Sequence, residues 1–288
     1  MRIPCKGTVK FPEEKVNYEV ATMRYVAAKT TIPVLEIYHY GTATENPTGL
    51  DNNINEQTLM FLYRQMANII LRLSTLSFPR IGSLVQDKRG LISVSGRPLI
   101  QNMSSLVEFA GVPPTLLPSQ QYLTSTQWYS AMADMHLSQV TFQRNDAIED
   151  EDDARDKFVA RQLFRRLASR GRLATGFEPE NGGDNETTFR LYSEDLRPSN
   201  VLIDKDLRVV GVIDWEFTYV APAEFSFDPP WWLLLKSPEY WPGGYVPWME
   251  AYEPRLNTFL GVLEQEEDKM RNAKGILPDQ WSIQQWLG

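Results

Sequence analysis

FRLYSEDLRPSNVLIDKDLRVVGVIDWEF, residues 189 to 217, gathers the chemistry-bearing side chains of this 288-residue chain at informative spacing. Its middle predicts a β-hairpin: Val201-Leu202-Ile203, a tight turn at Lys205-Asp206, then Leu207 to Ile213, rich in Val and Ile. With a two-residue turn, Asp204 faces Leu207 and residue 200 faces residue 211. Asp214 then lies just beyond the open end of the ribbon, beside the loop that carries Asp195 and Asn200. A strand rises about 3.3 Å per residue, so this folding brings Asp195, Asn200 and Asp214 to within roughly a ligand's width of one another. Two carboxylates and an amide oxygen converging in this way suit a hard cation of the magnesium kind. The bland alternative is a hairpin whose acidic ends face water, since Asp and Asn are ordinary turn residues. Three such residues at this spacing, with a hairpin between them, argue against it.

Kinases place a catalytic Asp, an Asn five residues later, and a second, metal-binding Asp after the following hairpin. The order here is Asp195-Leu196-Arg197-Pro198-Ser199-Asn200, followed by Asp214 within Val212-Ile213-Asp214-Trp215-Glu216-Phe217. This wording resembles the aminoglycoside phosphotransferase/choline kinase-like family, most closely its fungal branch. That family's loop reads His-x-Asp-x-x-x-x-Asn and its second motif Ile-Asp-Trp-Glu. The resemblance runs from about Val9 to the C-terminus and is strongest over Leu191 to Leu235; the usual His of the loop is Ser193 here.

The resemblance implies a two-lobed, protein-kinase-like α+β fold: a reduced N-terminal β lobe over residues 1–50 and a mostly helical catalytic lobe over 51–288. It implies ATP and Mg²⁺ as cofactors and a small-molecule hydroxyl as phosphoryl acceptor. Asp195 would take the hydroxyl proton as catalytic base, Asn200 and Asp214 would hold the metal, and Arg197 would make a phosphate or loop contact. The family's helix glutamate, which pairs with a strand cation gripping the α- and β-phosphates, is by position Glu19, and the cation is Arg2. An exposed arginine at a frayed terminus is the equal alternative for Arg2.

Composition narrows the classes. Apolar residues make up 42% and aromatics 11%, a globular balance with enough length for a sizeable core. A formal charge of −8 argues against nucleic acid as the main partner and suits a cationic small molecule better. One cysteine, Cys5, leaves no internal disulfide and suggests a reducing compartment, so a cytoplasmic location is expected. No run approaches the ~20 apolar residues of a membrane span, and no secretory leader is legible after Met1. Composition does not set the oligomeric state.

Elsewhere the chain predicts a helix from Pro12 to about Lys29, with Val16, Val20, Met23 and Val26 at helical spacing, then a strand over Ile32 to Tyr40. Set against the family pattern, the strands and glycine-rich turn expected before the cation are absent, and so is a strand and hinge after Tyr40. Gly41 to Asn53 reads as a polar loop into a helix from Glu56 to Leu76, and Gly182-Gly183 as part of a linker. A hairpin spans Gly82 to Pro98, residues 100 to 122 are Pro-rich and irregular, and Ser125 to Ser138 is helical. His39 and His136 read as core or capping residues. The acids between Asp146 and Asp156 read as a wet helix N-terminus rather than a polycation site. The aromatics from Tyr240 to Phe259 read as core before substrate pocket, with Glu224 and Asp228 the nearest acids for a substrate cation. A long helix is expected from Pro254 to Lys274, with Trp281 and Trp286 docking after it.

Two function classes follow. The first is an ATP-dependent phosphotransferase; the second is a pseudokinase that keeps the hairpin for its fold and acts as a binding or scaffolding module, favoured by the missing glycine loop. A hydrolase using Glu194 and Asp195 as a pair is set aside, because adjacent residues of an extended segment point to opposite sides.

Overall fold

Helix α1 (Pro12–Lys29) opens on a proline, whose fixed φ suits a first turn, and on Glu13 and Glu14, which complement the helix dipole. The computed structural model describes residues 10–34, 54–142, 148, 150–173, 189–234, 236 and 238–273. Within these, α1 buries Tyr18, Ala21 and Thr22, while Val16, expected on the inner stripe, is 40% exposed. Polar anchors set this rotation. Glu14 takes a two-pronged bond from Arg97 (2.9 and 2.7 Å), and Tyr18 fills the space that a Cβ on Gly96 would need. Positions 14, 18, 21 and 22 share one helical face, and Val16 falls outside it.

The chain divides into two compact units, each built from several separate segments. The first contains residues 1–25, 77–195 and 215–225. Its central antiparallel sheet joins, in this order, β1 (Ser77–Phe78), β4 (Phe189–Ser193) and β7 (Thr218–Pro222). Between β1 and β4 come the hairpin β2 (Ser83–Gln86) and β3 (Ile92–Gly96), then helices α3 (Gln101–Glu108), α4 (Ser125–Phe142) and α5 (Glu151–Ser169). Strand β4 (Phe189–Ser193) alternates inward and outward, whereas all five residues of β7 (Thr218–Pro222) are buried. Gly82 exchanges both backbone bonds with Val220 (3.1 and 2.8 Å), and a Cβ on Gly82 would meet the Gly96 carbonyl at 2.6 Å, so only glycine allows this approach. Trp128 of α4 packs edge-on against Tyr219 of β7 at 5.8 Å.

Helix α3 falls in the segment expected to be irregular. Ile100 offers no side-chain cap; instead the Gln101 N–H donates to the carboxylate of Glu194, 2.8 Å away and distant in sequence. Helix α5 starts from Asp150, which accepts from the Asp153 N–H (2.8 Å), so the acidic run is a helix cap and a wet first turn. Arg155 pairs within that turn, while Arg161 and Arg165 turn to Gln139 and Asp134 on α4. Asp146 and Glu149 lie outside the described residues.

The second unit holds residues 26–76, 196–214 and 226–288. Helix α2 (Glu56–Ser74) is capped by Asn55, which accepts from Thr58, and buries Leu59, Tyr63, Met66 and Ile69. It packs on α6 (Tyr245–Asn272), with Tyr63 meeting Phe259 edge-on at 5.5 Å. α6 begins nine residues before Pro254, the proline expected to start it. Trp248 and Tyr252 stack at 4.4 Å and bond the carbonyls of Lys236 and Pro230, which supplies the packing that extends the helix. The aromatic cluster thus splits: Trp248, Tyr252 and Phe259 are core, whereas Tyr240 and Tyr245 are exposed. Strands β5 (Val201–Ile203) and β6 (Val209–Val212) form the expected hairpin. Of the strand expected at residues 32–40, Val34 makes one parallel bridge to Val212; residues 35–53, His39 among them, Gly182-Gly183 and the Trp281/Trp286 segment lie outside the described residues. The fold is mixed α+β, helix-rich with small antiparallel sheets, as expected.

Candidate functional site

The β5–β6 hairpin is closed by a wider turn than expected. Leu207 takes a left-handed φ of 61°, and Asp204 holds the loop: its carboxylate accepts from the Asp206 and Arg208 N–H groups (both 2.9 Å). A residue in this conformation after the turn makes a bulged hairpin loop. The loop sets Ile203 opposite Val209, one residue off the register a two-residue turn gives, and an irregularity between Leu202 and Ile203 adds a second, so Leu202 faces Gly211 and Val201 faces Val212. The shift has a chemical consequence. The Ile213 N–H donates to the carbonyl of Asn200 (2.9 Å), so Asp214 comes one residue past the position opposite Asn200. The open end of the ribbon is where the sequence put it; the partner that brings the acid there is Ile213.

Within the second unit, then, Asn200 and Asp214 are neighbours across the ribbon. Asn200 is 6% exposed and ends a single 3₁₀ turn, Pro198–Asn200, which Arg197 precedes; its N–H donates to the Arg197 carbonyl (2.9 Å). Asp214 sits at φ 63°, a left-handed backbone that costs a side-chain-bearing residue energy and that Asp tolerates better than most. On the other side of β6, Val212 donates to the Pro33 carbonyl (2.8 Å). Gln65 of α2 clamps the turn end: its Nε2 donates to the Leu207 carbonyl (2.8 Å) and its Oε1 accepts from the Val209 N–H (2.7 Å). Nothing in local sequence marks Gln65, because its partners come some 140 residues later.

Asp195 and Glu19 belong to the first unit, and both are half-buried. β4 carries the chain to Asp195: Ser193 pairs with Thr218, the Glu194 N–H donates to the Phe217 carbonyl (3.3 Å), and Asp195 follows. Ser193, at the position of the family's usual His, is buried in that sheet. The Glu194 carboxylate turns to the N-terminus of α3. Burial pushes its pKa up to about 7, the Gln101 N–H pulling it down and the Asp195 charge adding to the rise. Glu19 lies on α1, and Arg2 lies outside the described residues. One pairing went unread in the sequence: Lys15 of α1 bonds Glu216 at 2.8 Å and lies over the Phe217 ring at 4.7 Å. The residues after Asp214 thereby anchor α1, and Trp215 between them is 1% exposed.

Among the described residues no three His, Cys, Asp or Glu side chains gather as a metal cage. An amide and a carboxylate are oxygen donors of the kind Mg²⁺ takes, an ion that keeps waters and completes its shell with substrate phosphates, and Asn200 and Asp214 would supply them. Among the same residues no helix is long and apolar enough to cross a membrane. Compared with known proteins, residues 9–261 match the model of the phosphotransferase enzyme family. No curated protein and no solved structure matches the chain. The family match takes in well over half of the sequence, from just before α1 to the middle of α6, and includes every motif residue of the hairpin; the chain belongs to the phosphotransferase enzyme family.

Proposed function

We propose that this chain is an ATP-dependent phosphotransferase of protein-kinase-like, two-lobed fold, with residues 1–50 serving the nucleotide and 51–288 the acceptor. Its reaction moves the γ-phosphoryl group to a hydroxyl of a small molecule. The observation that carries the reading is the Ile213–Asn200 bond, which sets Asp214 beside a buried Asn200 in a member of this family. Asp195 accepts the hydroxyl proton as the oxygen–phosphorus bond forms and ADP leaves. Asn200 and Asp214 hold Mg²⁺, which supplies charge neutralisation at the phosphates. Arg197 contacts a phosphate or steadies the loop, and Glu19 with Arg2 grips the α- and β-phosphates. The net charge of −8 supports a cationic acceptor and argues against nucleic acid. A single cysteine supports a reducing, cytoplasmic setting, and the wording of Leu191 to Leu235 supports a fungal kinship.

Thermal unfolding with millimolar Mg·ATP tests this. Nucleotide at 100 times its Kd adds about 2.7 kcal/mol, a rise of several degrees in Tm for a chain this size. The same experiment on D214N should show little rise, and D195N should keep the rise while losing phosphoryl transfer to a panel of amino alcohols. No rise in the wild-type chain would overturn the reading in favour of a non-catalytic binding module.

A further inference from the structure

Helix α5 packs on α4 through one face, where Phe164 and Ala168 meet Tyr129 and Ala133. The opposite face is open. Leu163 is 53% exposed, Val159 47% and Leu167 39%, a concentration of apolar surface unusual on a solvated helix. The order of side chains along that face is specific. Asp152, Asp156, Val159, Leu163 and Arg166 follow one another in steps of four, three, four and three residues, the spacing of a coiled-coil seam, and Arg170, the residue that caps the helix, comes four further on. The seam reads acid, acid, apolar, apolar, base, base.

This sequence is its own complement when reversed. About a two-fold axis at residue 161, Asp152 meets Arg170, Asp156 meets Arg166, and Val159 meets Leu163. A parallel copy would instead set acid against acid and base against base. Asp152 is paired within its own helix by Arg155 at 2.8 Å, both largely exposed, a pair weak enough to rearrange. Asp156, Arg166 and Arg170 make no ion pair with any other described residue. Antiparallel helices also set their dipoles favourably.

We infer that α5 is the contact face of a homodimer: a second copy of this chain docks antiparallel along the stripe from Asp152 to Arg170. The interface is isologous, as two-fold symmetry requires. A 19-residue helix is about 28 Å long, so one helix pair buries area at the low end for specific interfaces, and the dimer is reversible and concentration-dependent. This inference rests on no part of the proposed chemistry.

Sedimentation velocity on the full chain, over about 1 to 200 µM, tests it. The wild type should pass from monomer to dimer across that range. L163D should weaken the dimer at least tenfold. D156R and R166E should each be monomeric, because each places like charges across the axis. Mixing D156R with R166E should restore dimers, as should joining both changes in one chain, since opposite charges then face each other again. Far-UV circular dichroism checks that each variant stays folded; should L163D unfold, the charge exchange decides alone. A chain monomeric throughout, a dimer indifferent to these changes, or a mixture that stays monomeric overturns the inference.

Discussion

Glu194 is held between two demands: its carboxylate caps α3, which favours charge, and burial with Asp195 next to it disfavours charge more. Its folded pKa of about 7 exceeds the ordinary 4.5, so between those values the folded chain holds a proton that the unfolded chain has lost. Stability therefore falls as pH rises through that window. E194Q cannot ionise, and its amide oxygen can still accept from Gln101. The variant should gain on the wild type by up to about 3 kcal/mol above pH 7 and match it near pH 4.5. Urea midpoints at both ends check this, and an equal gap at both would separate Glu194 ionisation from folding. Asp214 poses a different trade. At φ 63°, D214A and D214G lose the same carboxylate but differ in backbone strain, so D214G should be the more stable of the two by about 1 kcal/mol. Equal urea stability would mean that the left-handed backbone relaxes once the acid is gone. The acid is legible in Ile-Asp-Trp-Glu; the register that brings it beside Asn200 is not, because that depends on the loop and on an irregularity between Leu202 and Ile203.

The hairpin shows where element-scale reading stops. Runs of Val and Ile announce β5 and β6, but a tight Lys205-Asp206 turn and a bulged loop with Leu207 at φ 61° satisfy the same pattern. Asp204 decides between them by taking two N–H groups of the wider loop. Helix α3 is not legible in the sequence because its cap arrives from beyond β4, and α6 reads as starting at Pro254 because that is an equally good first residue and the stack of Trp248 on Tyr252 is tertiary. The Gln65 clamp is another such contact, and it gives a test. Q65A removes the bonds to Leu207 and Val209, each worth about 1 kcal/mol net, so the chain should lose about 1–2 kcal/mol. The loss should appear locally as faster amide hydrogen exchange at Val209, where Q65E, which keeps the acceptor, should remain protected. Unchanged exchange at Val209 in Q65A would show that the turn stands without α2.

At the scale of the molecule, the chain passes between its two units after Tyr25, Leu76, Asp195, Asp214 and Phe225. The motif proposed to carry the chemistry is therefore cut twice, at Asp195/Leu196 and at Asp214/Trp215. The crossing has a structural reason within the first unit. β4 sits between β1 and β7, and β7 reaches it only after residues 196–214 have been laid down in the second unit. A contiguous piece such as 77–195 keeps β1 to β4 and α3 to α5, yet it loses β7, all five of whose residues are buried, and with it the Tyr219 ring against Trp128 and the Val220 bonds to Gly82. It also loses Tyr18 of α1, which fills the space beside Gly96. Such a piece should retain some helix in α4 and α5, which pack on each other locally, but show no cooperative urea transition and no ordered near-ultraviolet signal from Trp128. Circular dichroism in both spectral ranges during urea titration makes the comparison with the full chain. A sharp transition in 77–195 would mean that the β4–β7 ladder is dispensable to the unit and does not account for the crossing.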